Sequence, residues 1–327
     1  MLRRLCLIML TATCCLVAIA AQAAGLRLLD VPADAAGPAL RGMVWAPCAA
    51  SPSSVALRDG VTLPGVKDCP IKGDRLPLIV VSHGRRGSFL SHFDTATVLA
   101  DAGFVVAAIN HPGDTARDSS RTDEFSVLVE RPADIKRLTD FMLGAWTEAA
   151  VLDPKRIGLF GFSRGAYTGL VVIGGNPDFA ALAPLCEREG ATTPKCQAIR
   201  EGRVPTEAAV HDFRIRAAVL ADPPVFEGLF NRERLANVTI PILLWRSALG
   251  GDGVGPDTVD ALEQMLSKRP DYRIVSNSSH FSFLAPCPPK PAEAAPILCT
   301  DPPGFDRKVF HDAFNDAAAA FFLKHLE

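Results

Sequence analysis

Gly161-Phe162-Ser163-Arg164-Gly165 is the stretch on which the reading of this chain turns. It follows a strand-like apolar run, Arg156-Ile157-Gly158-Leu159-Phe160, and precedes a helix-like run from Ala166 to Ile173. G-x-S-x-G between a strand and a helix is the pattern of a nucleophile elbow, a turn so tight that its serine is held in a strained conformation with Oγ pushed outward. The flanking glycines are required because side chains there would strike the neighbouring strand and helix. The helix that follows aims its first N–H groups at charge developing beside the serine. Ser163 is therefore expected to be a nucleophile. The plainer alternative is a β-to-α turn whose serine only caps the helix.

Apolar strand-like runs alternate with helix-like segments on both sides of this turn. Leu76 to Ser82 and Phe104 to Ile109 are continuous apolar runs, the kind buried on both faces of a mostly parallel sheet. Short strands are expected at Leu26–Val31 and Gly42–Ala46, then a Pro/Ser-rich loop bounded by Cys48 and Cys69, a helix at 91–102, and a helix from Glu130 to Trp146 with Pro132 in its first turn. Strands follow at Ile215–Leu220, Ile240–Trp245 and Tyr272–Val275, with helices at Asp257–Ser267 and Arg307–Leu326. This alternation predicts a doubly wound α/β sheet, whose sites lie at the carboxyl ends of the strands. Residues 176–212 are polar and irregular, and read as a cysteine-containing insertion that forms a cap. No internal repeat, G-x-G-x-x-G or P-loop occurs, so nucleotide binding has no support.

Serine needs a base to take its proton, and the base needs an orienting acid. On an elbow of this kind the acid and the histidine follow the serine in that chain order. His280, in Ser278-Ser279-His280-Phe281 after the last strand, is the expected base. His211 lies in the insertion, before any acid candidate, while His311 and His325 sit in the terminal helix. Asp252, in Gly250-Gly251-Asp252-Gly253-Val254-Gly255-Pro256, is favoured as the acid. Asp222, in Ala221-Asp222-Pro223-Pro224, is the rival, and Asp257 is expected to cap the next helix. Two backbone N–H groups must face the developing oxyanion. Arg164, next after the serine, supplies one, and Arg85, in Ser82-His83-Gly84-Arg85-Arg86-Gly87-Ser88, is expected to supply the other. His83 is expected to brace that loop. His111 and Asp114, in Asn110-His111-Pro112-Gly113-Asp114, are candidates for lining the substrate pocket or organising the loop. Arg85, Arg86 and Arg164 put positive charge near the mouth, where a substrate carboxylate or phosphate would fit. No metal or organic cofactor is implied.

The first residues read as a secretory leader. Arg3 and Arg4 precede an apolar run from Leu5 to Ala20, and Ala21-Gln22-Ala23 offers a cleavage site before Ala24. The expected organisation is thus a leader over 1–23 and one domain over 24–327, periplasmic or secreted, with no stable membrane anchor after cleavage. The formal net charge of −2 and the absence of a basic stripe argue against nucleic acid as a partner. Of nine cysteines, Cys6, Cys14 and Cys15 lie in the leader, and six remain. Fifteen connectivities are open to six cysteines. Their sequence-local grouping predicts Cys48–Cys69, Cys186–Cys196 and Cys287–Cys299, rather than a zinc site, for which no C-x2-C spacing exists.

Together these motifs resemble those of α/β-hydrolases, in particular the dienelactone-hydrolase-like group that also resembles platelet-activating-factor acetylhydrolases. The likeness is carried by Ser82–Ser88, Asn110–Asp114, Gly161–Gly165, Asp252–Pro256 and Ser279–Phe281, and extends from about Leu26 to the C-terminus. It implies an α/β-hydrolase fold and cleavage of a small-molecule ester through a Ser-His-Asp triad. Dienelactone hydrolases carry a cysteine where Ser163 stands, so their substrate is not implied. The acetylhydrolases take the acid from the place of Asp222 and the dienelactone type from that of Asp252, and this chain has both. The same triad would equally serve an amidase, peptidase or lactonase. A non-catalytic binding scaffold would be expected to have lost a triad residue.

Overall fold

A computed structural model describes residues 23–57, 61–188, 192–225, 228–287 and 295–327. The leader reading falls almost entirely on residues 1–22, outside the described ones. Among the described residues, ten strands form one sheet in the order β10-β9-β8-β7-β5-β6-β2-β1-β4-β3. The parallel body comprises β5 (Leu76–Ser82), β6 (Val105–Ile109), β7 (Leu152–Phe162), β8 (Ile215–Ala221), β9 (Ile242–Ser247) and β10 (Asp271–Val275). β1 (Ala23–Val31) and β2 (Leu40–Cys48) extend it as an antiparallel pair against β6.

Period-two alternation in the central strands feeds two cores, one on each face of the sheet. Leu78 and Val80 of β5 point into one, Ile79 and Val81 into the other. The first face is covered by α2 (Phe125–Leu143), α3 (Arg164–Val172) and α6 (Pro256–Met265), through Ile135, Leu138, Tyr167, Leu170, Val259 and Leu262. The second is covered by α1 (Phe93–Asp101) and the terminal helix, Arg307–His325, through Leu99, Phe314, Ala318 and Phe322.

Three expectations are corrected. Helix α2 begins at Phe125, so Pro132 lies inside it rather than in its first turn. The segment between Cys48 and Cys69 is not all loop, because β3 (Ser53–Ala56) and β4 (Thr62–Lys67) pair within it. Residues 176–212 are not irregular throughout. They hold a 3-10 turn at Phe179–Leu182 and two short helices, α4 (Ala183–Arg188) and α5 (Pro194–Arg200). The three expected cysteine pairs are all bonded, with Cα–Cα distances of 6.0, 5.4 and 5.8 Å for Cys48–Cys69, Cys186–Cys196 and Cys287–Cys299. The last pair anchors α7 (Pro296–Cys299), after which the terminal helix is α8 (Arg307–His325).

Candidate active site

Ser163 stands between β7 and α3 with φ 52° and ψ −125°, a region that L-residues rarely adopt. A Cβ at Gly161 would come within 2.3 Å of the Gly165 carbonyl oxygen, and one at Gly165 within 1.8 Å of that of Ser82. Both glycines are thus demanded by the close approach of backbone around the turn. The Ser163 side chain makes no capping bond to α3, which removes the helix-cap alternative. Its Oγ instead lies 2.9 Å from His280 Nε2.

His280 opens a 3-10 turn, His280–Phe283, after β10. Its N–H donates to the Gly250 carbonyl at 2.9 Å, and its ring stacks on Phe162 at 4.8 Å. Nδ1 is 2.6 Å from Asp222 Oδ2. Asp222 follows the last residue of β8, and its carboxylate also accepts from the Ser247 N–H and hydroxyl, each at 2.8 Å. These two donors leave the carboxylate one way to face. All three side chains are buried, Asp222 completely. With Nδ1–H donated to Asp222, Nε2 is the nitrogen free to accept from Ser163.

The carboxylate that meets His280 is thus Asp222, the rival candidate, and not Asp252, the one favoured from the sequence. Asp252 lies beyond the Gly250-Gly251 turn, with Oδ1 4.0 Å from Arg85 Nη1. It lines the mouth of the cavity beside Ser163 rather than meeting His280. Asp257 lies in the first turn of α6, where a carboxylate complements the helix dipole. Arg85 and Arg164 both border the serine's cavity, and among the described residues neither backbone N–H donates to a protein acceptor.

His111 and Asp114 are fully buried, which fits the second of the two roles expected of them, organising the loops, and not lining the pocket. Arg131 and Arg164 each donate through Nη1 to Asp114 Oδ2, at 2.6 and 2.8 Å, and the Thr122 hydroxyl and the Arg86 N–H reach Oδ1. Burial alone would raise the Asp114 pKa, but the two guanidiniums outweigh it and hold the carboxyl far below its usual range. Arg131 also donates to the His83 carbonyl and, at 3.2 Å, to Ser82 Oγ. The Ser82 hydroxyl can then donate to His111 Nε2 at 3.0 Å, and His111 Nδ1–H to Asp134 at 3.0 Å. Burial, reinforced by Arg131, pushes the His111 pKa well down, as this neutral tautomer requires. His83 braces the loop as expected: Nε2 accepts from the His111 N–H at 3.2 Å, and Nδ1–H donates to the Gly84 carbonyl at 2.7 Å. One buried charge cluster thus ties the Ser82–Arg86 loop to the start of α3.

Ser247, Phe162 and Arg131 were not singled out from the sequence. Arg131 carried a legible signal, since it shares a helical stripe with Ile135, Leu138 and Met142, and a charge on a core stripe needs a buried partner. Ser163 opens into a cavity of about 190 Å³, whose wall also includes Tyr167, Leu182 and Lys195.

The strand order, the elbow and the position of His280 define an α/β-hydrolase fold. A model of the prolyl oligopeptidase family matches residues 91–184, which include Ser163 but neither Asp222 nor His280. A search of curated proteins finds no match. Among solved structures, the chain is similar to a ferulic acid esterase from Streptomyces cinnamoneus, with a TM-score of 0.64 and 18% identity over 93% of this chain and 90% of that one. It is also similar to a dienelactone hydrolase from Anabaena variabilis, with a TM-score of 0.53 and 15% identity over 93% of this chain and 99% of that one.

Proposed function

We propose that this protein is an exported serine hydrolase that cleaves carboxylic esters through Ser163, His280 and Asp222. The observation that carries the reading is the unbroken hydrogen-bonded line from Ser163 Oγ through His280 to Asp222. His280 Nε2 takes the Ser163 proton as Oγ bonds to the ester carbonyl carbon. Asp222 stabilises the imidazolium that forms. The N–H groups of Arg85 and Arg164 receive the oxyanion. As the carbon–oxygen bond to the alcohol breaks, His280 gives its proton to the departing oxygen. Water then attacks the acyl-enzyme with His280 again as base, releasing the acid and restoring Ser163.

Two structural neighbours bear names of ester- and lactone-cleaving enzymes, in keeping with this chemistry. A peptidase draws support from the prolyl oligopeptidase match. The cavity of about 190 Å³ favours a small ester instead, being below the roughly 300–1,000 Å³ common for small-molecule sites. Export is supported by three disulfides, which persist in oxidising compartments, and by the leader-like first residues. No helix among the described residues is long and apolar enough to cross a membrane. The test is hydrolysis of p-nitrophenyl esters from acetyl to long acyl chains by the purified protein. Turnover that declines with chain length is expected, and a rise with chain length would contradict the small-pocket reading.

A further inference from the structure

The wall of the Ser163 cavity carries more positive than negative charge. Arg85, Arg164 and Lys195 are its cations, and Asp123 and Asp252 its carboxylates. Arg85 donates to Asp123 at 3.1 Å and lies 4.0 Å from Asp252, so it has anionic partners on two sides. The Arg164 charge goes to Asp114, which Arg131 shares. Among the described residues Lys195 has one carboxylate within 4.0 Å, Asp123, which Arg85 already engages; the Asp114 charge also acts on it, but Asp114 is held by Arg131 and Arg164. The separation of 4.0 Å from Asp123 is too long for a hydrogen bond. The Lys195 side chain is only 21% exposed. A shielded ammonium without a close acceptor is costly unless a partner arrives.

We propose that the ester substrate carries a carboxylate, and that Lys195 receives it. This rests on the reading of Ser163 as the nucleophile. A carboxylate supplies one negative charge for the one wall cation without a close acceptor, Lys195, whereas a phosphate monoester brings about −1.5 to −2 near neutral pH. The acceptor oxygens would meet Lys195 from the cavity side, away from Asp123, and give the ammonium charge-assisted hydrogen bonds. Lys195 belongs to α5, in the segment 176–212, and its neighbour Cys196 is bonded to Cys186 of α4. The insertion would thereby set specificity by delivering one cation to the mouth of the site. Burial, and next the nearby Arg164 charge, lower the Lys195 pKa to about 8. The site should therefore hold the anion firmly below that pH and lose it above.

The test is titration of Ser163→Ala protein with monomethyl glutarate and with its neutral counterpart, dimethyl glutarate. The monoanion should bind roughly tenfold or more tightly than the diester, the scale of a charged hydrogen bond. The preference should vanish in Ser163→Ala/Lys195→Met, survive in Ser163→Ala/Lys195→Arg, and fade as pH rises through about 8. Equal affinity for the two esters, or a preference that survives Lys195→Met, overturns the proposal. Because binding is read without turnover, a failure here is separable from a failure of Ser163 to act as nucleophile, which covalent labelling of the parent protein reports.

Discussion

Ser163, His280 and Asp222 come from the ends of three different strands, and each is set by local constraints rather than by the other two. The elbow glycines hold Ser163, the Gly250 carbonyl and the Phe162 ring hold His280, and Ser247 holds Asp222. Asp222→Asn should lower kcat by roughly 10⁴, because the amide no longer fixes the imidazole tautomer. Asp252→Asn should leave kcat close to that of the parent. Steady-state kinetics on p-nitrophenyl acetate compares the two, and the opposite order would return the acid to Asp252. Ser163 and His280 were legible because each abuts an unmistakable strand. The carboxylate that meets His280 was not, because two successive strands each offer one near its end. A cue lay in the spacing: Asp222 immediately follows the last strand residue, Ala221, whereas Asp252 is separated from Ser247 by a glycine turn.

Helix α2 shows what periodicity reveals and what it conceals. Its core face was legible from Ile135, Leu138 and Met142, but its start was obscured by Pro132. A proline looks like a first-turn residue, and here tertiary packing tolerates it within the helix. The partner of Arg131 was invisible because Asp114 lies on another element. Asp114→Asn should destabilise the fold by about 3–5 kcal/mol, the cost of leaving buried guanidiniums without their anion. Chemical denaturation measures this. The Asp114 pKa is depressed on folding, so its contribution is full above the unfolded value, near 4. It is lost as pH falls further. The thermal midpoint of the parent should accordingly drop below about pH 4, and less steeply in the Asn variant. A parallel drop in both proteins would remove Asp114 from the account.

At the scale of the whole molecule, the doubly wound sheet and the three cysteine pairings were readable because they rest on apolar runs and sequence-local grouping. The structure of residues 176–212 was not, since their polarity hid two helices and the placement of Lys195 on the wall of the Ser163 cavity. Removing the Cys186–Cys196 bond by serine substitution should cost about 2–3 kcal/mol of stability. It should also weaken the preference for an anionic ester, because α5 loses its tether. Denaturation midpoints and paired ester titrations read the two effects, and an unchanged preference would separate the disulfide from specificity. The central claim concerns one atom, Ser163 Oγ. Treatment of the purified protein with a fluorophosphonate, followed by peptide mass spectrometry, tests it most directly. The account predicts a single adduct on Ser163, absent from the Ser163→Ala variant; no adduct, or one on another residue, would contradict it.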